Sequence, residues 1–122
     1  MSSLLKLAAT LLIAMQLQSC TYANPTTLIN TLATAITIVF NGSTYDIEPG
    51  GREKIRGLFF GFSLESNGAR LSFVPDQAIL TEKASEYLCG IRSTISLEYR
   101  SDTNVYLLPC RSSGSERKFS PK

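Results

Sequence analysis

The sequence predicts a mainly β protein, a small antiparallel β-sandwich or partly open barrel with at most one short helix, and three observations predict it. Turn signals recur at short intervals from residue 35 onward, at Asn41-Gly42, Pro49-Gly50-Gly51, Asn67-Gly68 and Pro75-Asp76, the punctuation expected of hairpins. The segments between them are rich in β-branched and aromatic residues and alternate apolar with polar positions, as half-buried strands do. Six or so short strands with one apolar face each need a second layer to cover that face.

Taken in order, Ile36, Ile38 and Phe40 alternate with Thr37 and Val39, and after Asn41-Gly42 the alternation resumes at Tyr45 and Ile47. This pattern is a hairpin closed by a two-residue turn. Glu48-Pro49-Gly50-Gly51 follows, where proline presets φ and glycine frees it for a tight turn. Leu58, Phe60, Phe62 and Leu64 then share one face of an expected strand, with Phe59, Gly61 and Ser63 on the other. Asn67-Gly68 returns the chain into Arg70 to Val74, where Leu71 and Phe73 alternate with Arg70 and Ser72. Thr81 to Leu88 has helix-compatible composition and is long enough for about two turns. Ile91 to Arg100 alternates through Ile95, Leu97 and Tyr99, Ser101 to Asn104 makes a loop, and Val105 to Leu108 closes the last hairpin.

The ends of the chain read differently. Lys6 followed by the apolar run Leu7 to Leu17 forms an export signal, too short to span a bilayer, which takes roughly 20 residues. Leu17-Gln18-Ser19-Cys20 resembles the lipobox of bacterial lipoproteins. The resemblance implies that the Cys20 sulfur is acylated, as by palmitate, and that Cys20 becomes the N-terminus after cleavage. A lipid anchor would then hold the chain in a bacterial membrane, in the cell envelope, facing the periplasm or the exterior. Thr21-Tyr22-Ala23 offers a rival small-x-small cut, after which the chain is secreted. The organisation expected is residues 1–19 as signal peptide, 20–34 as a tether, 35–110 as the β domain and 111–122 as a disordered basic tail dispensable for folding.

A domain this small buries only about 60 per cent of its unfolded surface and gains from a staple. Of the three cysteines, Cys20 lies at the signal, which leaves Cys89 and Cys110 to pair in an oxidising compartment. Because the last hairpin carries Cys110 toward Ile95, the bridge would tie the 81–88 segment to the final strand. Such a bridge closes a loop of about 20 residues and is worth about 3 kcal/mol.

The chemistry that is missing narrows the function. The sequence contains no histidine, which removes the usual base for a serine or cysteine nucleophile and the commonest metal ligand. Asp46 and Glu48 are the one carboxylate pair with the spacing for acid and base work, and both flank a turn. The glycines at 50, 51, 57 and 61 are not followed by the lysine and hydroxyl residue of a phosphate cradle. Between Asn24 and Cys110 seven basic residues face nine acidic ones, and the tail beyond holds four basic and one acidic, so the body has no footprint for nucleic acid. No enzyme activity, metal or small-molecule cofactor is expected.

What remains is binding, with a protein partner expected. Leu58-Phe59-Phe60-Gly61-Phe62 places aromatic rings on both faces of its strand, so Phe59, Phe60 and Phe62 are the candidate binding residues. Small bacterial envelope lipoproteins, which the Leu17 to Cys20 motif resembles, include periplasmic lysozyme inhibitors and assembly adaptors, and Ser66-Asn67-Gly68-Ala69-Arg70 resembles the Ser-x-Gly loop of the inhibitors. The chain therefore reads as a small exported envelope protein acting as adaptor, inhibitor or assembly factor. A structural subunit of a surface assembly and a secreted effector released after Ala23 are the alternatives.

Overall fold

The computed structural model describes residues 24–122; the expected export signal, Cys20 and both expected cleavage sites lie outside the described residues. Nine strands are seen among the described residues: β1 (Pro25–Asn30), β2 (Ile36–Phe40), β3 (Ser43–Ile47), β4 (Arg52–Arg56), β5 (Phe62–Ser66), β6 (Ala69–Phe73), β7 (Ile95–Tyr99), β8 (Val105–Leu107) and β9 (Arg117–Phe119). They form a five-stranded sheet in the order β4-β1-β7-β8-β9 and a four-stranded sheet in the order β3-β2-β5-β6. Every pairing is antiparallel except β1 with β7. The protein is mainly β, a small sandwich of the kind expected.

The turn chemistry accounts for the hairpins. Asn41 and Gly42 have φ of 52° and 80°, and Asn67 and Gly68 of 52° and 79°. Two successive left-handed residues match the twist of the flanking strands, which sets the registers Phe40↔Ser43 and Ser66↔Ala69. At the third turn the Gly51 N–H donates to the Glu48 carbonyl over 2.9 Å. Alternation then sorts the faces: Ile36, Ile38, Ile47, Leu64 and Phe73 of the smaller sheet meet Leu28, Ile95, Leu97, Val105 and Leu107 of the larger one in a single core. Tyr99 lies edge-on to Phe73 across it, with ring centroids 6.3 Å apart.

Four expectations are corrected. The 20–34 tether does not extend to residue 34, because Pro25–Asn30 is β1, the strand between β4 and β7, with Thr26, Leu28 and Asn30 buried. Asn30 is fully buried and satisfied: its Nδ2 donates to the carbonyls of Thr34 and Ile47 over 2.9 and 3.2 Å, and its Oδ1 accepts from the Leu32 N–H. That amide ties the end of β1 to the end of β3, where an apolar residue would leave carbonyls without donors.

The 111–122 tail is ordered against the body rather than disordered. Its β9 pairs with β8 in the register Val105↔Phe119, Ser115 accepts a 2.7 Å hydrogen bond from the buried Tyr87 hydroxyl, and the Lys122 N–H donates to Ser72 on β6. The last residues thereby link the open edges of the two sheets.

The third correction concerns residues 58–60, which form a 3-10 turn instead of continuing a strand.

The expected single helix at 81–88 is two shorter ones, α1 (Ala78–Glu82) and α2 (Ala84–Tyr87), separated at Lys83. The Cys89–Cys110 disulfide is present, with Cα atoms 5.4 Å apart. It ties α2 to the strand ending at β8, and the Cys110 N–H donates to the Glu86 carbonyl over 2.8 Å beside it. No helix among the described residues is long and apolar enough to cross a membrane.

Candidate functional site

The segment from Arg56 to Phe62 decides which rings reach the surface. Gly57 has φ 79° and Gly61 φ 138°, conformations that L side chains rarely adopt, and a Cβ on Gly61 would meet the Phe73 carbonyl at 3.4 Å. Between these glycines the chain makes a 3-10 turn, closed by the Phe60 N–H on the Gly57 carbonyl (3.0 Å) and the Gly61 N–H on the Leu58 carbonyl (3.1 Å). A 3-10 turn has three residues per turn, so the strand's alternation loses its phase. Leu58 and Phe59 turn inward, Phe60 turns outward, and Phe62 begins the next inward row.

The three candidate phenylalanines are therefore not one surface. Phe59 is 2 % exposed and lies edge-on to Phe119 of the tail, centroids 6.0 Å apart; its carbonyl accepts a hydrogen bond from the Gln77 amide. Phe62 is buried and stacked on Phe73 at 5.5 Å. Phe60 is 40 % exposed and, with Phe40, Asn41, Arg56 and the two glycines, lines a shallow depression of about 470 Å³. Phe59 and Phe62 are core residues, and Phe60 alone of the three is a surface residue.

The depression lies at one end of the sandwich, the end where β1 begins. The Gly57 N–H donates to the Asn24 carbonyl over 3.4 Å, and Asn24, Gly57, Phe59 and Phe60 line one small cleft. Two other features fall at this end. Val74 follows β6 beside Gly61, with 3.9 Å from its Cγ2 to a Cβ built there. Ile91 tips the loop that leads into β7, whose first residue pairs with Thr26 of β1. Phe60, Val74 (51 % exposed) and Ile91 (fully exposed) are the exposed large hydrophobics of the described residues, and the strand registers place the segments that carry them toward the Asn24 end.

The outer face of the larger sheet, from the Asp102 loop to the start of β9, is polar and tightly wired. Arg100 donates from Nε to Glu98 over 2.6 Å and from both terminal nitrogens to Glu116 over 2.7 and 3.0 Å, while its guanidinium stacks over Tyr106 at 3.9 Å. The pairing with Glu116 raises the Arg100 pKa and holds the Glu116 carboxyl below its ordinary value. Tyr106 donates to Asp102, which lowers the Asp102 pKa and raises that of the phenol. Each charge here is matched within the protein, so the network acts as a clasp on β9. Sequence reasoning missed it because Glu116 sits in a stretch with the composition of a tail.

The remaining candidates are structural by position. Asp46 accepts from the Thr37 hydroxyl across the β2–β3 pair at 2.8 Å, and Glu48 lies beyond β3 in the exposed turn. Ser66 is buried, and the pKa of Tyr99 is raised mainly by burial. The loop resembling the inhibitor motif is thus the β5–β6 turn with its serine turned inward. Among the described residues no cluster of three or more histidine, cysteine or acidic side chains could hold a metal ion. Compared with family models, curated proteins and solved structures, the chain matches none.

Proposed function

We propose that the protein is an exported module of a bacterial envelope, held by lipid on Cys20, that works by surface contact at its Asn24 end and not by catalysis, as an adaptor, inhibitor or assembly factor would. The observation that supports this reading is that the exposed large hydrophobics Phe60, Val74 and Ile91 sit on segments that the strand registers place toward one end of the sandwich, where Phe60 and Arg56 line a depression. Exposed apolar side chains placed on one end of a small domain favour a contact there. The absence of histidine from the sequence fits a binder better than a hydrolase of the triad type.

Assembly through a sheet edge is less well supported. Edge strand β4 carries Arg52, Lys54 and Arg56 on its exposed positions, and cations along an edge discourage pairing with another strand.

The test combines intact-mass analysis of the envelope fraction with a photo-crosslinking residue at position 60 or, as a control, at position 69 of the far hairpin. The expected result is diacylglycerol on a chain beginning at Cys20 and an adduct, to lipid or to protein, from position 60 alone. A mature N-terminus at Asn24 in the soluble fraction overturns the anchor, and equal adducts from both positions overturn the site.

A further inference from the structure

We propose that the Asn24 end faces the membrane, and that its occupant is the lipid surface in which Cys20 is anchored, with Phe60 and Ile91 entering the interface. This rests on the lipoprotein reading above and adds to it the partner of that same surface. What carries the inference is the length of chain before β1. With residues 20–34 as a tether, the anchor could stand some 50 Å away from the domain at about 3.3–3.6 Å per residue. The order of Pro25–Asn30 in the sheet leaves Thr21 to Asn24 as the connection, at most about 14 Å when fully extended.

That leash ends beside the apolar cluster. The Asn24 carbonyl is bonded to Gly57, and Asn24 shares a cleft with Phe60, so a lipid-bearing Cys20 brings this end to the bilayer surface before any other. The far end, with its Asn67-Gly68 turn and Asp102 loop, is separated from it by the length of β1, six residues or about 20 Å, more than the leash spans. Lying flat is disfavoured by the outer sheet faces: the smaller sheet exposes Asp46, Glu65 and Arg70, and the larger one Arg52 and Lys54, all of which lose hydration in a lipid contact. At the Asn24 end exposed Arg56 and Arg92 reach the level of lipid phosphates. Exposed Asp76 and Glu82 offset that charge, so apolar insertion carries the contact.

The sequence contains no tryptophan, which makes the test direct. Full-length protein carrying Phe60→Trp, Ile91→Trp or Ala69→Trp is expressed in bacteria, purified from the membrane, checked by intact mass for acyl chains on Cys20, and reconstituted into phosphatidylethanolamine and phosphatidylglycerol vesicles with and without brominated acyl chains. An indole seated about 5–10 Å into the headgroup and acyl boundary loses roughly half or more of its emission to the bromines. The expected result is quenching in the Phe60→Trp and Ile91→Trp proteins and none in the Ala69→Trp protein. Two reporters on different loops keep the outcome independent of one variant's folding. In protein that carries the lipid, any other pattern overturns the proposal while leaving the anchor standing, including protection of the reporters at positions 60 and 91 by a protein partner. A mass without acyl chains overturns the lipoprotein reading and takes this inference with it.

Discussion

Replacing Phe119 with alanine tests whether the C-terminal segment belongs to the fold. The ring is half-buried and packs edge-on against the fully enclosed Phe59 at 6.0 Å, under the 3-10 turn that presents Phe60. Half the burial of a phenylalanine is worth about 1 kcal/mol, the edge-to-face pair adds about 0.5–1.5 kcal/mol, and Phe59 loses part of its cover. The expected loss is about 2–3 kcal/mol, against a total stability of about 5–15 kcal/mol for a domain of this size. At roughly 4–8 °C per kcal/mol for about 100 residues, thermal unfolding followed by far-UV circular dichroism should shift down by about 10–20 °C. The matched control is Lys118→Ala, one residue away and exposed, which should stay within about 0.5 kcal/mol of the parent. A Phe119→Ala shift under about 2 °C, or equal shifts for the two variants, would refute the docking of β9.

Replacing Cys89 and Cys110 together with serine should lower stability by about 2–4 kcal/mol in urea unfolding, and thiol titration of the unreduced parent should find neither cysteine. Thr26→Val should raise stability by about 1 kcal/mol, because the Thr26 hydroxyl is fully buried without a hydrogen-bond partner among the described residues and valine keeps its shape; a lower melting temperature would contradict that. Acid should loosen the clasp at Arg100: Glu116 is held below its ordinary value of 4.5 by the guanidinium, so its contribution is present above that pH and fades as pH falls through the lowered native value. Melts from pH 7 to 3 should show Glu116→Gln flattening the acid limb, and an unchanged limb would refute the assignment.

The hairpins were legible in the sequence because their turns depend on local chemistry. Asn-Gly at 41–42 and 67–68 adopts two positive φ values whatever surrounds it, and inward Ile36, Ile38 and Leu64 announce their face. The strands that went unrecognised carry polar residues inward. β1 points Thr26 and Asn30 into the core, so its alternation has no hydrophobic signature, and β4 buries Ile55 alone among charged neighbours. Phe59, Phe60 and Phe62 show a different failure. Their expected faces assume an unbroken period of two, and the positive φ of Gly57 and Gly61, the latter passing close to the Phe73 carbonyl, resets the phase. The site at the Asn24 end was out of reach for a related reason: Val74 and Ile91 join Phe60 through pairings between distant strands, which no local pattern encodes.

The parallel pairing of β1 with β7 also fixes an order of events in time. During synthesis, β1 emerges first, yet Ile95, the partner of Thr26, lies about 70 positions on, and β4 on the other flank arrives earlier but contributes a single apolar inward residue. The smaller sheet has no such wait, since both its hairpins close over two-residue turns at little entropic cost, whereas bringing β1 to β7 closes a long loop. Assembly therefore starts with the smaller sheet, and the first strand made is among the last to be enclosed. Until the final hairpin is complete, Leu28 and both hydrogen-bonding edges of β1 stand open, and a chain stalled before residue 95 presents them to whatever strand it meets.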